Sequence, residues 1–141
     1  MTAKMYLSQF KLIKARIKAK EDRRDVMFSL IASARTPSLK EDMVQGGQRD
    51  SIDDRIIEYM ELQEEINRDI REAVDMAQRL GKQIEGLQNH LYVEILHRHY
   101  IGLKDLKTIA DELNYSYVHI RRLHGHALTV FYREFLKDDT Q

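Results

Sequence analysis

Residues 105–123 read DLKTIADELNYSYVHIRRL, and this stretch decides the fold of the C-terminal third of the chain. Asp105 is a favoured N-cap for a short helix over about 106–113, and Asn114 tolerates the left-handed conformation that commonly ends a helix. Ser116 is a second N-cap, directly before a helix that runs to about residue 137. Two capped helices joined by so short a turn predict a helix-turn-helix.

A third short helix is predicted just upstream, over about 89–101, with Gly102 as its C-terminal cap. Apolar residues recur at helical spacing through all three helices, so the sequence predicts a three-helix module over 89–141. The inward-facing residues are Leu91, Ile95, Leu96, Tyr100, Leu106, Ile109, Ala110, Leu113, Ile120, Leu123, Ala127, Leu128, Phe131 and Phe135.

Two longer periodic segments precede this module. The first predicts a helix over about 3–33, with an apolar stripe that Lys20 and Arg24 interrupt. The second has coiled-coil spacing, begins at an N-cap supplied by Asp50 or Ser51 and ends near residues 88–89. The first stripe contains Tyr6, Phe10, Ile13, Ile17, Met27 and Ile31, and the second contains Ile56, Tyr59, Gln63, Ile66, Ile70, Ala73, Ala77, Leu80, Ile84, Leu87 and Leu91.

The segment between these two helices has no periodicity. It holds the only proline of the chain and the pair Gly46-Gly47, so a loop is predicted at about 34–50. Residues 1–40 contain ten Lys or Arg against three Asp or Glu, whereas residues 41–88 contain six against thirteen. This charge match favours an antiparallel helical hairpin over 1–88, although the same stripe also allows pairing between two chains.

The expected fold is therefore all-α, a coiled-coil-like hairpin over 1–88 followed by a helix-turn-helix module over 89–141. The chain has no cysteine, which excludes disulfides and thiolate metal sites. It has no apolar run of signal-peptide or membrane-span length, so a cytoplasmic protein without membrane contact is expected. It also lacks a nucleophile elbow and a phosphate-binding glycine loop, so we expect neither an enzyme nor a cofactor.

All six histidines lie between residues 90 and 126, yet a metal site is not expected. The pairs His97/His99 and His124/His126 are two residues apart and so point to different sides of a helix. Protonation near pH 6 would instead add positive charge to the C-terminal module only. The sequence thus predicts that binding to a polyanion strengthens as the pH falls from 7.5 to 6.

The outward face of the last helix carries the candidate functional residues. An arginine there can read guanine, a valine can meet a thymine methyl group, and an exposed glycine allows close approach. Two lysines near the preceding helix are candidate phosphate contacts. The DNA-binding residues expected are Lys104, Lys107, Ser116, Tyr117, Val118, His119, Arg121, Arg122 and Gly125.

The C-terminal part also resembles a known family. The residues that carry this likeness are 96–101 (LHRHYI), 109–116 (IADELNYS) and 122–128 (RLHGHAL). They are similar to region 4 of the sigma-70 family, in particular to small phage and prophage late regulators of the ArpU/RinA type. The sequence departs from that pattern at Lys104-Asp105 and at His119.

The resemblance implies binding of double-stranded DNA through the Ser116 helix, alongside host RNA polymerase in a bacterial cell. The function expected is a sequence-specific transcription regulator of phage or prophage genes, with the hairpin as a site of homodimerisation or polymerase contact. The alternative is an interaction adaptor, such as an anti-sigma-like or phage assembly factor, that uses the same helices without binding DNA.

Overall fold

The computed structural model describes residues 1–34 and 46–137, with the side chains of 46–50 excepted. Over these residues the protein is all-α and contains no strand, as predicted. The helices are α1 (Ala3–Leu7), α2 (Gln9–Ala34), α3 (Gly46–Glu85), α4 (His90–Leu96), α5 (Leu106–Leu113) and α6 (Tyr117–Phe131), and π-helical turns follow α4 (His97–Ile101) and α6 (Tyr132–Leu136).

The chain forms two compact units. One, the hairpin unit, is residues 14–72, and the other, the C-terminal unit, combines residues 1–13 with residues 73–137. This division differs from the predicted boundary at residue 88. The reason is that the ring of Tyr6 packs on Phe131, and Gly86 lies against Phe135, which joins both flanking segments to the C-terminal helices.

Within the hairpin unit, α2 and α3 run antiparallel. Arg16 contacts Glu72, Arg24 contacts Gln63, and the ring of Phe28 lies 6.0 Å from that of Tyr59. The residue numbers of each pair sum to about 87, which fixes one register. The apolar stripe of α2 and the coiled-coil stripe of α3 therefore meet inside one chain.

Lys20 and Arg24, which interrupt the apolar stripe of α2, lie in this interface and meet polar partners. Lys20 Nζ is 2.8 Å from a carboxylate oxygen of Asp69, and Arg24 donates to the amide oxygen of Gln63 at 3.0 Å. Asp69 is buried, whereas Ile70 is 41% exposed. The prediction that Ile70 lies in the stripe is wrong, because the two cations on α2 require an anion opposite them.

The ends of the two long helices also differ from the predictions. A turn at Ser8 separates α1 from α2, where the Gln9 side chain donates to the carbonyl of Tyr6 at 2.8 Å. Helix α3 begins at Gly46, so neither Asp50 nor Ser51 is its N-cap. Both residues are only weakly unfavourable inside a helix, and each added residue contributes a backbone hydrogen bond. The rest of the predicted loop, residues 35–45, lies outside the described residues.

The predicted helix over 89–101 is present, with Asn89 as its N-cap and a π-helical turn as its last part. Gly102 caps it as expected, but in a right-handed conformation; the left-handed residue is Leu103, with φ 57°. A Cβ atom on Gly102 would lie 2.7 Å from the carbonyl oxygen of Arg98, so the close approach requires glycine there.

Candidate nucleic-acid interface

Helices α5 and α6 are joined by the turn that the sequence predicts. Asp105 accepts from the backbone N–H of Thr108 at 2.8 Å and begins α5. Asn114 ends α5 in the left-handed conformation, with φ 62° and ψ 42°. Ser116 begins α6 by accepting from the N–H of His119 at 3.1 Å. Each end of the turn is thus fixed by the side chain or conformation of one residue.

A small apolar core holds these helices against α4. Ile95 of α4, Ile109 and Ala110 of α5 and Ile120 of α6 are all buried and in contact. A small residue such as Ala110 lets two helix backbones approach closely where they cross. Four partly buried leucines surround this core, namely Leu91, Leu106, Leu113 and Leu123.

An ion-pair network at the start of α5 adds to this packing. Arg98, at the π-helical turn, contacts Glu94 at 3.0 Å and Glu112 at 2.6 Å, and Lys104 contacts the other oxygen of Glu112 at 2.6 Å. Hydrogen bonds from Lys104 and then Arg98 lower the pKa of the Glu112 carboxyl group. Two cations therefore neutralise Glu112 beside α6. Sequence reasoning missed Arg98 and Glu112, because their positions show no motif.

The exposed face of α6 carries no negative charge. The helix contains no Asp or Glu, and Val118, Arg121, Arg122 and Gly125 all lie on its solvent side. Val118 is 66% exposed, although it is a β-branched apolar residue. A Cβ atom added to Gly125 would meet nothing within 4 Å, so no neighbour within the chain requires glycine at this position.

Aromatic rings hold the cations of this face. The ring of Tyr117 has the Lys107 ammonium at 5.9 Å and the Arg121 guanidinium at 6.0 Å, distances typical of cation–π contacts. Arg122 donates to Nδ1 of His119 at 3.0 Å. The two arginines and Lys107 are thereby gathered near the N-terminal end of α6, where its macrodipole is also positive.

The predicted site residues do not all have equal access. Tyr117, Val118, Arg121, Arg122 and Gly125 share the exposed surface of α6, and Lys107 joins them from α5. The Lys104 ammonium is instead bound to Glu112, and the Ser116 hydroxyl is committed to its capping hydrogen bond. The exposed ring of Tyr115, 5.2 Å from that of His119, extends the surface and was not predicted.

The histidines of the unit do not form one exposed set. Burial, and then the neighbouring charges of His99 and Lys4, lower the pKa of His124 to about 4. His124 Nε2 shares a hydrogen bond of 2.8 Å with the buried hydroxyl of Tyr100, and burial raises the pKa of that phenol to about 12. His124 therefore gains no charge between pH 7.5 and 6, which corrects the expectation for this one histidine.

Metal and membrane sites were sought over the same residues. Among the residues described, no group of three or more acidic or histidine side chains is placed to bind a metal ion. Over residues 1–34 and 46–137, none of the helices combines the length and the apolar character needed to cross a membrane.

The comparison with known families concerns most of the chain. The family described as "Protein of unknown function (DUF1492)" matches residues 17–130, which include α4, α5 and nearly all of α6. The chain belongs to this family. No curated protein and no solved structure is found to match it. The capped turn and the α6 surface of this DUF1492 chain thus lie inside the range that defines its family.

Proposed function

We propose that this protein is a sequence-specific DNA-binding transcription regulator, with α6 as the recognition helix in the major groove. The observation that carries the proposal is the α6 surface: a capped helix of 15 residues without any acidic residue, exposing two arginines, a valine and a glycine. A groove lined with phosphates and base edges would complement this set of side chains.

Each side chain would have a distinct role. Arg121 and Arg122 would donate to guanine O6 and N7, and Val118 would contact a thymine methyl group. Lys107 would bind a phosphate at the start of the helix. Tyr117 would hold Lys107 and Arg121 in place. Lys104 is the weakest of the predicted contacts, because a DNA phosphate would have to compete with Glu112 for its ammonium.

The resemblance to sigma-70 region 4 supports the same proposal and adds to it. Phage and prophage regulators of the ArpU/RinA type would be its functional relatives, and host RNA polymerase would be a second partner in the bacterial cytoplasm. Residues 89–141 have seven basic and seven acidic side chains. Because this part of the chain is neutral, much of its affinity would come from direct contacts rather than from general attraction to phosphate.

The test is binding of the full chain to a pool of random duplex DNA, followed by selection of the tightest sequences. Log affinity should fall linearly with log salt, with a shallow slope. Arg121→Ala and Arg122→Ala should each weaken binding to the selected sequence by about 1–3 kcal/mol. Arg79→Ala removes an exposed arginine from α3 and serves as the matched control. Wild-type affinity in both α6 variants would refute the assignment of this face.

One observation favours the alternative function, an adaptor that contacts proteins only. Tyr115, Tyr117 and Val118 are all exposed at the N-terminal end of α6, and exposed aromatic residues are common in protein interfaces. In that case Val118→Asp would abolish capture of a protein partner, and no duplex DNA would bind even at low salt. Binding of DNA with the salt dependence above would exclude an adaptor that avoids DNA.

A further inference from the structure

Large apolar side chains are exposed at the end of the hairpin unit. Five of them, on two short stretches of α2 and α3, form what we call the tip patch: Val26, Phe28, Leu30, Ile57 and Met60, each more than half exposed. The antiparallel register places the two stretches opposite each other. A patch of this kind on a charged helical hairpin is typical of an interaction surface.

An open groove lies beside the tip patch. It has a volume of about 250 Å³ and is lined by Met27, Leu30, Ile31, Ala34, Ile52 and Arg55. All but one of these residues are apolar. The groove lies between α2 and α3, so these two helices alone do not fill the space at this end of their interface. A side chain from another molecule could complete the packing.

The charges on the two helices indicate which molecule would fit. Within the hairpin unit, α2 has six basic and three acidic residues, whereas residues 51–72 of α3 have three basic and eight acidic. Next to the tip patch, Arg23 is exposed on α2, and Glu61 and Glu64 are exposed on α3. A partner for this surface needs an acidic helix to lie along α2 and a basic helix to lie along α3.

A second copy of the same hairpin meets both requirements. We propose that two chains associate through their tip patches, with α2 of each chain along α3 of the other, as a four-helix arrangement with twofold symmetry. Such a contact is self-complementary, because each surface meets its own equivalent in the partner. The coiled-coil stripe is already used inside each chain, so the dimer forms through the flank of the hairpin rather than through that stripe.

This inference gives the proposed DNA-binding function a dimeric form. Two copies would present two α6 helices to paired half-sites, and the second module would increase the affinity of a protein whose single module is neutral. The dimer can nevertheless be tested without DNA, so the failure of one proposal is distinguishable from the failure of the other.

The experiment is sedimentation equilibrium of the full chain, compared with two variants. Leu30→Glu places a charge in the tip patch, and Leu12→Glu is its matched control, since both leucines lie on α2 and are 65% and 67% exposed. Wild type and Leu12→Glu should be dimers at roughly 100 µM, whereas Leu30→Glu should raise the dimer dissociation constant at least about tenfold. Met60→Glu tests the α3 side in the same way.

Three results would overturn the proposal. The first is a wild-type chain that stays monomeric at the same concentration, which would leave the tip patch to a different partner. The second is a dimer that Leu30→Glu and Met60→Glu leave unchanged. The third is equal weakening by Leu12→Glu. Circular dichroism of each variant should show unchanged helix content, because all three side chains are exposed.

Discussion

Gly125 and Gly81 are both helical glycines, and an added Cβ atom would meet no neighbour at either position. Replacing either with alanine should therefore stabilise the protein by up to about 1 kcal/mol, since alanine is the better helix former. Only Gly125 lies on the proposed recognition face. Gly125→Ala should raise the melting temperature and weaken DNA binding, whereas Gly81→Ala should raise the melting temperature alone.

Calorimetry and a DNA titration of the two glycine variants would check this. If Gly125→Ala binds DNA as tightly as wild type, the backbone of α6 does not approach the duplex closely at this point. A loss of stability in Gly81→Ala would instead contradict the open space next to this glycine in the structure.

The buried histidine gives a prediction about pH. His124 has a pKa of about 4 in the folded protein, whereas an unfolded histidine titrates near 6.5. Between these values the unfolded chain binds a proton at this site that the folded chain does not bind. The contribution of His124 to stability is therefore complete above pH 6.5 and is lost as the pH falls toward 4.

Chemical denaturation at a series of pH values would measure this effect. His124→Gln should show a smaller loss of unfolding free energy between pH 7 and 5 than wild type. His126→Gln, at an exposed histidine two residues away, should retain the wild-type slope. Identical slopes in all three proteins would show that His124 is protonated in the folded state.

At the scale of helices, the polar contacts inside the hairpin unit are open to mutation. Lys20→Met leaves the buried Asp69 with only Arg16, at 3.4 Å, and should destabilise the protein by about 1–3 kcal/mol. The double variant Lys20→Met/Asp69→Leu should recover most of this loss, because two apolar side chains can replace a buried ion pair.

Lys18→Met provides the control for the Lys20 variant. Lys18 pairs with Asp22 on the surface of the same helix, and this exposed pair should contribute nothing measurable. Unfolding in urea would give all three values. A double variant less stable than Lys20→Met would mean that the polar pair itself, rather than the desolvation of Asp69, contributes the stability.

The helix ends show what the sequence could and could not predict. Asp105, Asn114 and Ser116 were identified correctly, because capping depends on the chemistry of one residue and its near neighbours. The assignment of Ile70 failed, since periodicity alone does not distinguish two adjacent apolar stripes on one helix. Asp69 was missed because its burial depends on Lys20, a residue far away in sequence.

The π-helical turns could not be predicted either. The turn at His97–Ile101 rests on a hydrogen bond from Gly102 N–H to the carbonyl of His97 and on the Nδ1–H of His99, which donates to the carbonyl of Lys104 at 2.7 Å. Neither contact has a sequence signature. The exposed α6 face was predictable by contrast, because the buried positions of a capped helix determine which residues lie outside.

At the scale of the whole molecule, the two units differ in how much they bury. Of the described residues, only Leu62, Ile66 and Asp69 are buried in the hairpin unit, whereas seventeen apolar residues are buried in the C-terminal unit. Hydrogen exchange should therefore be faster for amides in 17–30 and 55–68 than in 107–113 and 118–130, since few buried contacts allow local opening.

Exchange measured by mass spectrometry at two protein concentrations would test this difference. Equal protection of both units at a concentration where the chain is monomeric would contradict it. Slower exchange of 17–30 and 55–68 at high concentration alone is the additional result expected from association through the tip patch.

The fixed register of α2 and α3 restricts how this protein can change in length. Lys20 meets Asp69 and Arg24 meets Gln63, so one inserted residue between positions 20 and 24 would rotate one helix by about 100° relative to its partner and separate at least one pair. Deletions have the same effect. Insertions and deletions in the arms should thus be tolerated only as matched changes in both helices, close to whole heptads, so that the hairpin is lengthened or shortened as a unit.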